Sequence, residues 1–159
     1  MTMKPAASEG AMRIQSLLGS AFRVLEFEDS THSSADAAAA VGCDVAQIAK
    51  SMVFRAADGQ PVLVVASGAN RVDDRKVAAL LGRKIKRADP DFVLLHTGFA
   101  VGGVPPVGHA TRPVTFLDRD LRSYAEIWAA AGLPNAVFAL TPDDLARLTG
   151  AAFVDIAKR

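Results

Sequence analysis

The chain has a single cysteine, Cys43, so no internal disulfide can form and burial and hydrogen bonding must hold the fold. A lone cysteine beside a helix end reads as small core filler. Histidines number three, His32, His96 and His109, and they lie too far apart for a zinc-ligand spacing, so no metal is expected. Aromatics are scarce, and Trp128 and Tyr124, each the sole residue of its kind, are expected to pack. Neither sign of charge dominates: 18 Lys and Arg stand against 17 Asp and Glu, a net charge of +1. The overall field therefore neither drives nor forbids polyanion binding, and any nucleic-acid contact must be local. The start of the chain lacks the apolar segment of a secretory signal, which points to the cytoplasm and to an end that frays over residues 1–10. A membrane-spanning run is also missing. The one long stretch without Asp, Glu, Lys or Arg, Phe92 to Thr111, carries Gly98, Gly102, Gly103, Pro105, Pro106 and Gly108, which suit a shaped loop and not a membrane helix.

What is present is a chain of 159 residues, 50% of them hydrophobic. That length and apolar content suit one globular domain over 1–159. Helices are expected around Met12 to Leu18 before Gly19, from Ser34 to Val41 before Gly42, from Asp73 or Asp74 to Leu81 before Gly82, from Asp91 to His96 behind Asp89-Pro90, and from Thr141 to Gly150. Asp44 and Gln47 form a capping pair for a short helical turn ending near Lys50. Met52–Arg55, Asp58-Gly59 and Pro61–Ala66 read as a β-hairpin. Further strands are expected at 22–28, 84–87, 114–117, 126–129, 136–140 and 152–156. Hairpins and crossovers alternate irregularly, so the fold class is α+β with a mixed sheet, not a doubly wound parallel one.

Three features bear on chemistry. Lys50 sits between apolar residues in Ile48-Ala49-Lys50-Ser51-Met52, at an expected helix-to-strand junction. Alone, this is also the pattern of a lysine whose stem covers core while its ammonium stays wet. From Thr97 to His109 runs a glycine- and proline-rich segment whose consecutive Gly102-Gly103 can bring two main-chain amides to one oxygen. It lacks the closing Gly-Lys-Ser/Thr of a phosphate loop and the spacing of a dinucleotide fingerprint, and alone it is also a plain surface loop. Arg71, Arg75, Lys76, Arg83, Lys84, Lys86 and Arg87 crowd a short stretch against only Asp73 and Asp74. Such a run is either a solvated face or a site for phosphate backbone.

Together these segments resemble the YbaK-type trans-editing deacylases, relatives of the editing domain inserted in many bacterial prolyl-tRNA synthetases. The resemblance rests on Ile48-Ala49-Lys50-Ser51, Asp73-Asp74-Arg75-Lys76-Val77-Ala78, Ala88-Asp89-Pro90, Thr97-Gly98-Phe99 with Gly102 through His109, and Leu133-Pro134-Asn135. It implies a curved, barrel-like mixed sheet with flanking helices. It implies hydrolysis of the ester joining a wrong amino acid to tRNA, without metal or cofactor. The family lysine falls on Lys50, and the family's glycine-to-proline loop on Gly102, Gly103, Val104, Pro105 and Pro106. On this reading Lys50, Gly102 and Gly103 act on the ester, and Ser51, Gly98, Phe99, Val104, Pro105, Pro106, Ala130 and Gly132 bind substrate. Arg71, Arg75, Lys76, Arg83, Lys84, Lys86 and Arg87 then hold tRNA. An aminoacyl-tRNA synthetase is a further possible partner. The Ser-Gly-Gly of cysteinyl-specific members is replaced by Ala130-Ala131-Gly132, so the implied substrate is a small amino acid of the Ala, Ser, Thr or Cys class on tRNA(Pro) or a related tRNA. An already activated ester needs positioning and oxyanion stabilisation more than a nucleophile, which suits a chain with no Ser-His-Asp or Cys-His pattern. A non-catalytic RNA-binding module and a small-molecule ester or amide hydrolase are the competing readings.

Overall fold

The structure, a computed structural model, describes residues 3–28 and 33–159, so His32 lies outside the described residues. Among the described residues there are five helices: α1 (Glu9–Leu18), α2 (Ser34–Val41), α3 (Asp74–Leu81), α4 (Pro90–Thr97) and α5 (Pro142–Thr149). Their ends follow the expected signals. Asp73, Asp89 and Thr141 accept hydrogen bonds from first-turn amides of α3, α4 and α5, and Gly42, Gly82, Gly98 and Gly150 close their helices in the left-handed region.

Nine strands form one mixed sheet: β1 (Met3–Pro5), β2 (Val24–Phe27), β3 (Ile48–Ala56), β4 (Pro61–Ser67), β5 (Ile85–Arg87), β6 (Val114–Asp118), β7 (Ile127–Ala130), β8 (Ala136–Leu140) and β9 (Ala152–Val154). The order is β1-β2-β8-β7-β3-β4-β6-β9, with β5 paired to β3 beside this path. Helices α1, α4 and α5 cover the face bearing Ala49, Val53, Leu63, Val65 and Phe138, while α3 packs on Phe54, Val62 and Val64 and α2 on Ile48. This is the mixed sheet with flanking helices that the resemblance implies.

Three expectations are corrected. The fraying expected over 1–10 does not hold for residues 3–10, where β1 pairs antiparallel with β2 and α1 begins at Glu9. Buried Glu26 secures the connection by accepting from the amides of Ala7 (2.9 Å) and Ser8 (2.7 Å) and from the Ser8 hydroxyl (3.0 Å). The turn capped by Asp44 and Gln47 is only a 3-10 turn, Val45–Gln47, and Ile48 already opens β3. Lys50 therefore stands inside a strand, opposite Ala66, because the apolar alternation from Ile48 to Phe54 is recruited by the ladder with β4. A second 3-10 turn, Arg119–Ser123, follows β6, and the Asp118 side chain caps it.

The feature that matters most for function is a fork on one edge of β3. There β7 runs parallel to Ile48 and Ala49, and β5 runs antiparallel to Phe54, Arg55 and Ala56. The Val53 carbonyl accepts from Ala88 N (3.2 Å) and Ala57 N donates to the Lys84 carbonyl (3.0 Å), so the odd-numbered main-chain groups of β3 face this edge. By the same alternation the N–H and C=O of Ser51 point into the fork, between the last β7 pairing and the first β5 pairing. A strand that would normally be covered on both edges is open for a few residues.

The loop after α4 leans on the β7–β8 turn beside this opening. Gly132 N donates to the Gly103 carbonyl at 2.9 Å, and a Cβ on Gly103 would stand 2.8 Å from Leu133 Cα. Only glycine lets two main chains approach so closely. Gly103→Ala should lower stability in urea denaturation by about 1–3 kcal/mol, the usual cost of forced overpacking; an unchanged midpoint would mean that the loop does not rest against this turn.

Candidate active site

The fork opens into a cavity of about 340 Å³. Its walls come from both faces of the sheet: Ala49, Ser51, Ala129 and Ala136 from one, Ile48, Lys50, Met52, Trp128 and Ala130 from the other. Val101, Gly102, Val104 and Pro134 close the loop side, and Ser33, Ser34 and Ala37 the start of α2. The walls next to Ser51 are built from alanines and Val104, so the recess there takes a small group. The Ser51 hydroxyl is buried and has no hydrogen-bond partner. A buried hydroxyl left unpaired costs about 1–3 kcal/mol, which a bound polar group can recover.

Lys50 is half-buried and donates from Nζ to the Asn70 carbonyl at 2.7 Å. Burial lowers its pKa, and the neighbouring charges of Arg87 and Arg71 lower it further against the opposing carboxylate of Asp118. The anchor for this lysine was not foreseen from the sequence. Asn70 is itself fixed by Nδ2, which donates to Asp118 Oδ2 and Asp120 Oδ2, each at 2.8 Å. The fully buried Asp118 also accepts from Ser67 N at 3.0 Å and, through Oδ1, from Asp120 N at 3.0 Å. Strand ends β4 and β6 thus position a carbonyl that positions an ammonium. The only signal in the sequence was a polar stretch, Ser67-Gly68-Ala69-Asn70, at the end of a strongly apolar strand.

The loop behaves differently from its expected role. Gly102 lines the cavity, and its φ of +95° calls for glycine. The amide of Gly103 is spent on the Ala100 carbonyl at 3.1 Å, so it cannot also serve an oxyanion. Among the described residues the amides of Gly102 and Val104 donate to no protein acceptor. Of the residues expected to bind substrate, Ser51, Val104 and Ala130 line the cavity. The other five are elsewhere. Gly98 caps α4, Phe99 is buried core under the Arg13 guanidinium, Gly132 packs on Gly10, and Pro105 and Pro106 are buried behind the loop. The Pro105 carbonyl is bonded to His109 Nε2 at 2.7 Å, and burial lowers the pKa of that imidazole. His109 is outside the cavity, and among the described residues the lining holds no imidazole or carboxylate. Ser33, Ser34, Ala37, Trp128 and Pro134 are lining residues that sequence reasoning missed, since only the folded sheet brings them together.

The basic run divides in the same way. Arg87 lines the cavity, and with Arg71 it also lines an adjoining depression. Arg75 lies on a separate surface beside Asp73 and Asp74. Lys76 is committed to Asp155 (3.0 Å) and the Ala157 carbonyl (2.8 Å), and Arg83 is paired with Asp58. Lys84 and Lys86 are exposed, the latter beside Arg55 in the β3–β5 ladder. Replacing Asp118 by Ala should cost about 1–3 kcal/mol for the buried donors it strands, and it should release Asn70 and impair any activity that depends on Lys50; full stability and activity in that variant would remove the buttress from the account.

Comparison with known proteins identifies the family and the fold. Residues 28–148 match the aminoacyl-tRNA editing domain. The YwhH protein of Bacillus subtilis (strain 168) is 35% identical over 136 residues, covering 85% of this chain and 87% of its own. A protein of Enterococcus faecalis (strain ATCC 700802 / V583) named as a candidate Cys-tRNA(Pro)/Cys-tRNA(Cys) deacylase, EbsC, is 27% identical over 130 residues, 80% of this chain and 79% of that one. The crystal structure of a candidate trans-editing enzyme for prolyl-tRNA synthetase superposes with a TM-score of 0.92 at 43% identity, covering 97% of this chain and 100% of that one. Among the described residues no helix is long and apolar enough to cross a membrane. The matched domain and the relatives with their shared fold show that this chain belongs to the aminoacyl-tRNA editing family, whose members hydrolyse aminoacyl-tRNA.

Proposed function

We propose that this protein is a trans-acting deacylase that clears a small amino acid of the Ala, Ser, Thr or Cys class from mischarged tRNA(Pro) or a related tRNA in the cytoplasm. The observation that carries the reading is the shared cavity in which Lys50, Gly102 and the unpartnered hydroxyl of Ser51 meet. The alanine-walled recess sets the size of the acyl group, and discrimination there amounts to about 1–3 kcal/mol per methylene. The Ser51 hydroxyl favours an occupant that brings a hydrogen bond, whether from a side-chain hydroxyl or thiol or from the α-amino group.

The chemistry follows from what the cavity holds and lacks. Water adds to the ester carbonyl carbon, and the carbonyl electron pair moves onto oxygen. The Lys50 ammonium and the free amides of Gly102 and Val104 stabilise that oxyanion. Collapse re-forms the carbonyl and expels the ribose oxygen. The water's proton reaches that oxygen through the neighbouring ribose hydroxyl, since among the described residues the lining holds no carboxylate or imidazole. The products are the free amino acid and the terminal hydroxyl of tRNA.

Incubation with a panel of mischarged tRNAs should show ester loss confined to small acyl groups; binding without ester loss would reduce the protein to an RNA-binding module. Lys50→Ala should lower kcat/KM by about 100-fold or more while leaving the circular dichroism unchanged; retained activity would exclude the lysine from the reaction. A lysine with a lowered pKa carries its charge only below that pKa. Enzymatic deacylation, after subtraction of spontaneous hydrolysis, should therefore fall on the alkaline side at a pH below the ordinary lysine value of 10.5. A rate that climbs steadily through this range would show that the ammonium form is not required.

A further inference from the structure

Against the Lys50 side of the fork lies a second depression, of about 380 Å³, that shares Lys50, Met52 and Arg87 with the cavity. Arg71 and Lys158 complete its basic rim, and Asp74 is the one acid on it. Among the described residues, the side chains of Arg71, Arg87 and Lys158 form no ion pair, whereas nearby Lys76, Arg119 and Arg159 are each paired with Asp155 or Asp120. The fold holds these cations together. Lys158 N donates to the Arg71 carbonyl at 2.9 Å, Asp73 N donates to the Ile156 carbonyl at 2.7 Å, and Val72 pairs with Ala157. Lys76, expected to bind RNA, instead fastens this tail by its bonds to Asp155 and Ala157. Lys158 lay outside the basic run read from the sequence; only the pairing of the tail with residues 71–73 carries it to Arg71.

Like charges gathered in a concave site without counter-charges raise each other's energy, and an anion relieves it. Lys50 already registers that field, since Arg87 and Arg71 both act against its charged form. We infer that this depression is the seat of the phosphate on the 5′ side of the substrate's terminal adenosine, held by Arg71, Arg87 and Lys158. The inference rests on the deacylase reading and adds a direction to it. The acyl group enters the alanine-walled recess, the ester lies at Lys50 on the shared wall, and the terminal nucleotide runs outward over the basic depression. The lysines at 84 and 86 and Arg83 are then not part of the terminal-phosphate site.

The test compares alanyl, seryl, threonyl and cysteinyl esters of adenosine with the same esters of adenosine 5′-phosphate. Wild-type protein should hydrolyse the phosphorylated form with roughly tenfold higher kcat/KM, and that advantage should shrink with added salt. In the Arg71→Ala, Lys158→Ala double variant, altered at two exposed side chains, the ratio of the two rates should fall to near one. An advantage that persists in the double variant, or a wild-type ratio already near one, would overturn the phosphate seat while leaving deacylation intact. Hydrolysis of none of the esters by the wild type would instead overturn the deacylase reading, and this inference with it.

Discussion

A sheet strand normally satisfies its main chain on both edges, and β3 does not. Parallel pairing with β7 stops at Ala49 and antiparallel pairing with β5 starts at Phe54. The residues Lys50 through Met52 line a break where both faces of the sheet can be reached from one opening. This constraint explains why a single strand delivers both kinds of group the chemistry needs. Alternation sends Lys50 to one face and Ser51 to the other, yet both reach the same cavity because the strand has no neighbour there. A continuous ladder at this point would close the site.

The electrostatics are arranged around that break. The buried carboxylate of Asp118 does not pair with Lys50 directly; it holds Asn70, whose carbonyl receives the ammonium. The ammonium therefore keeps a fixed position without being neutralised by a carboxylate at contact distance, and it remains available to a developing oxyanion. The same carboxylate offsets part of the repulsion from Arg71 and Arg87. In the proposed deacylation, fixed donors, a small recess and an open sheet edge serve an ester that is already activated.

Local signals in the sequence were strong where the chemistry of ends and turns is local. Caps at Asp73, Asp89 and Thr141, the left-handed glycines and the Asp58-Gly59 hairpin all sit where the residues indicated. Lys50 and Gly102, which line the cavity, stood out in the sequence because an isolated charge in an apolar run and a paired glycine are unusual in themselves. What could not be read was anything that depends on which strands become neighbours. Gly103 looked equivalent to Gly102, yet its amide is used in the turn and its missing side chain makes room for Leu133. Phe99 and Pro105 belong to the right loop but turn into the core. Asn70, Trp128 and Lys158 enter the picture only through pairings between distant segments, and Lys76 and Arg83 are paired with carboxylates that the sequence does not reveal.

The central claim is that the fork in β3 is where the acyl ester binds. A crystal structure with a non-hydrolysable amide analogue, 3′-deoxy-3′-(serylamino)adenosine 5′-phosphate, tests it most directly. The account predicts the acyl side chain beside Ser51, the amide carbonyl within hydrogen-bond distance of Lys50 Nζ or the Gly102 amide, and the phosphate against Arg71 and Lys158. An analogue ordered elsewhere on the protein, with the fork left vacant, would contradict it.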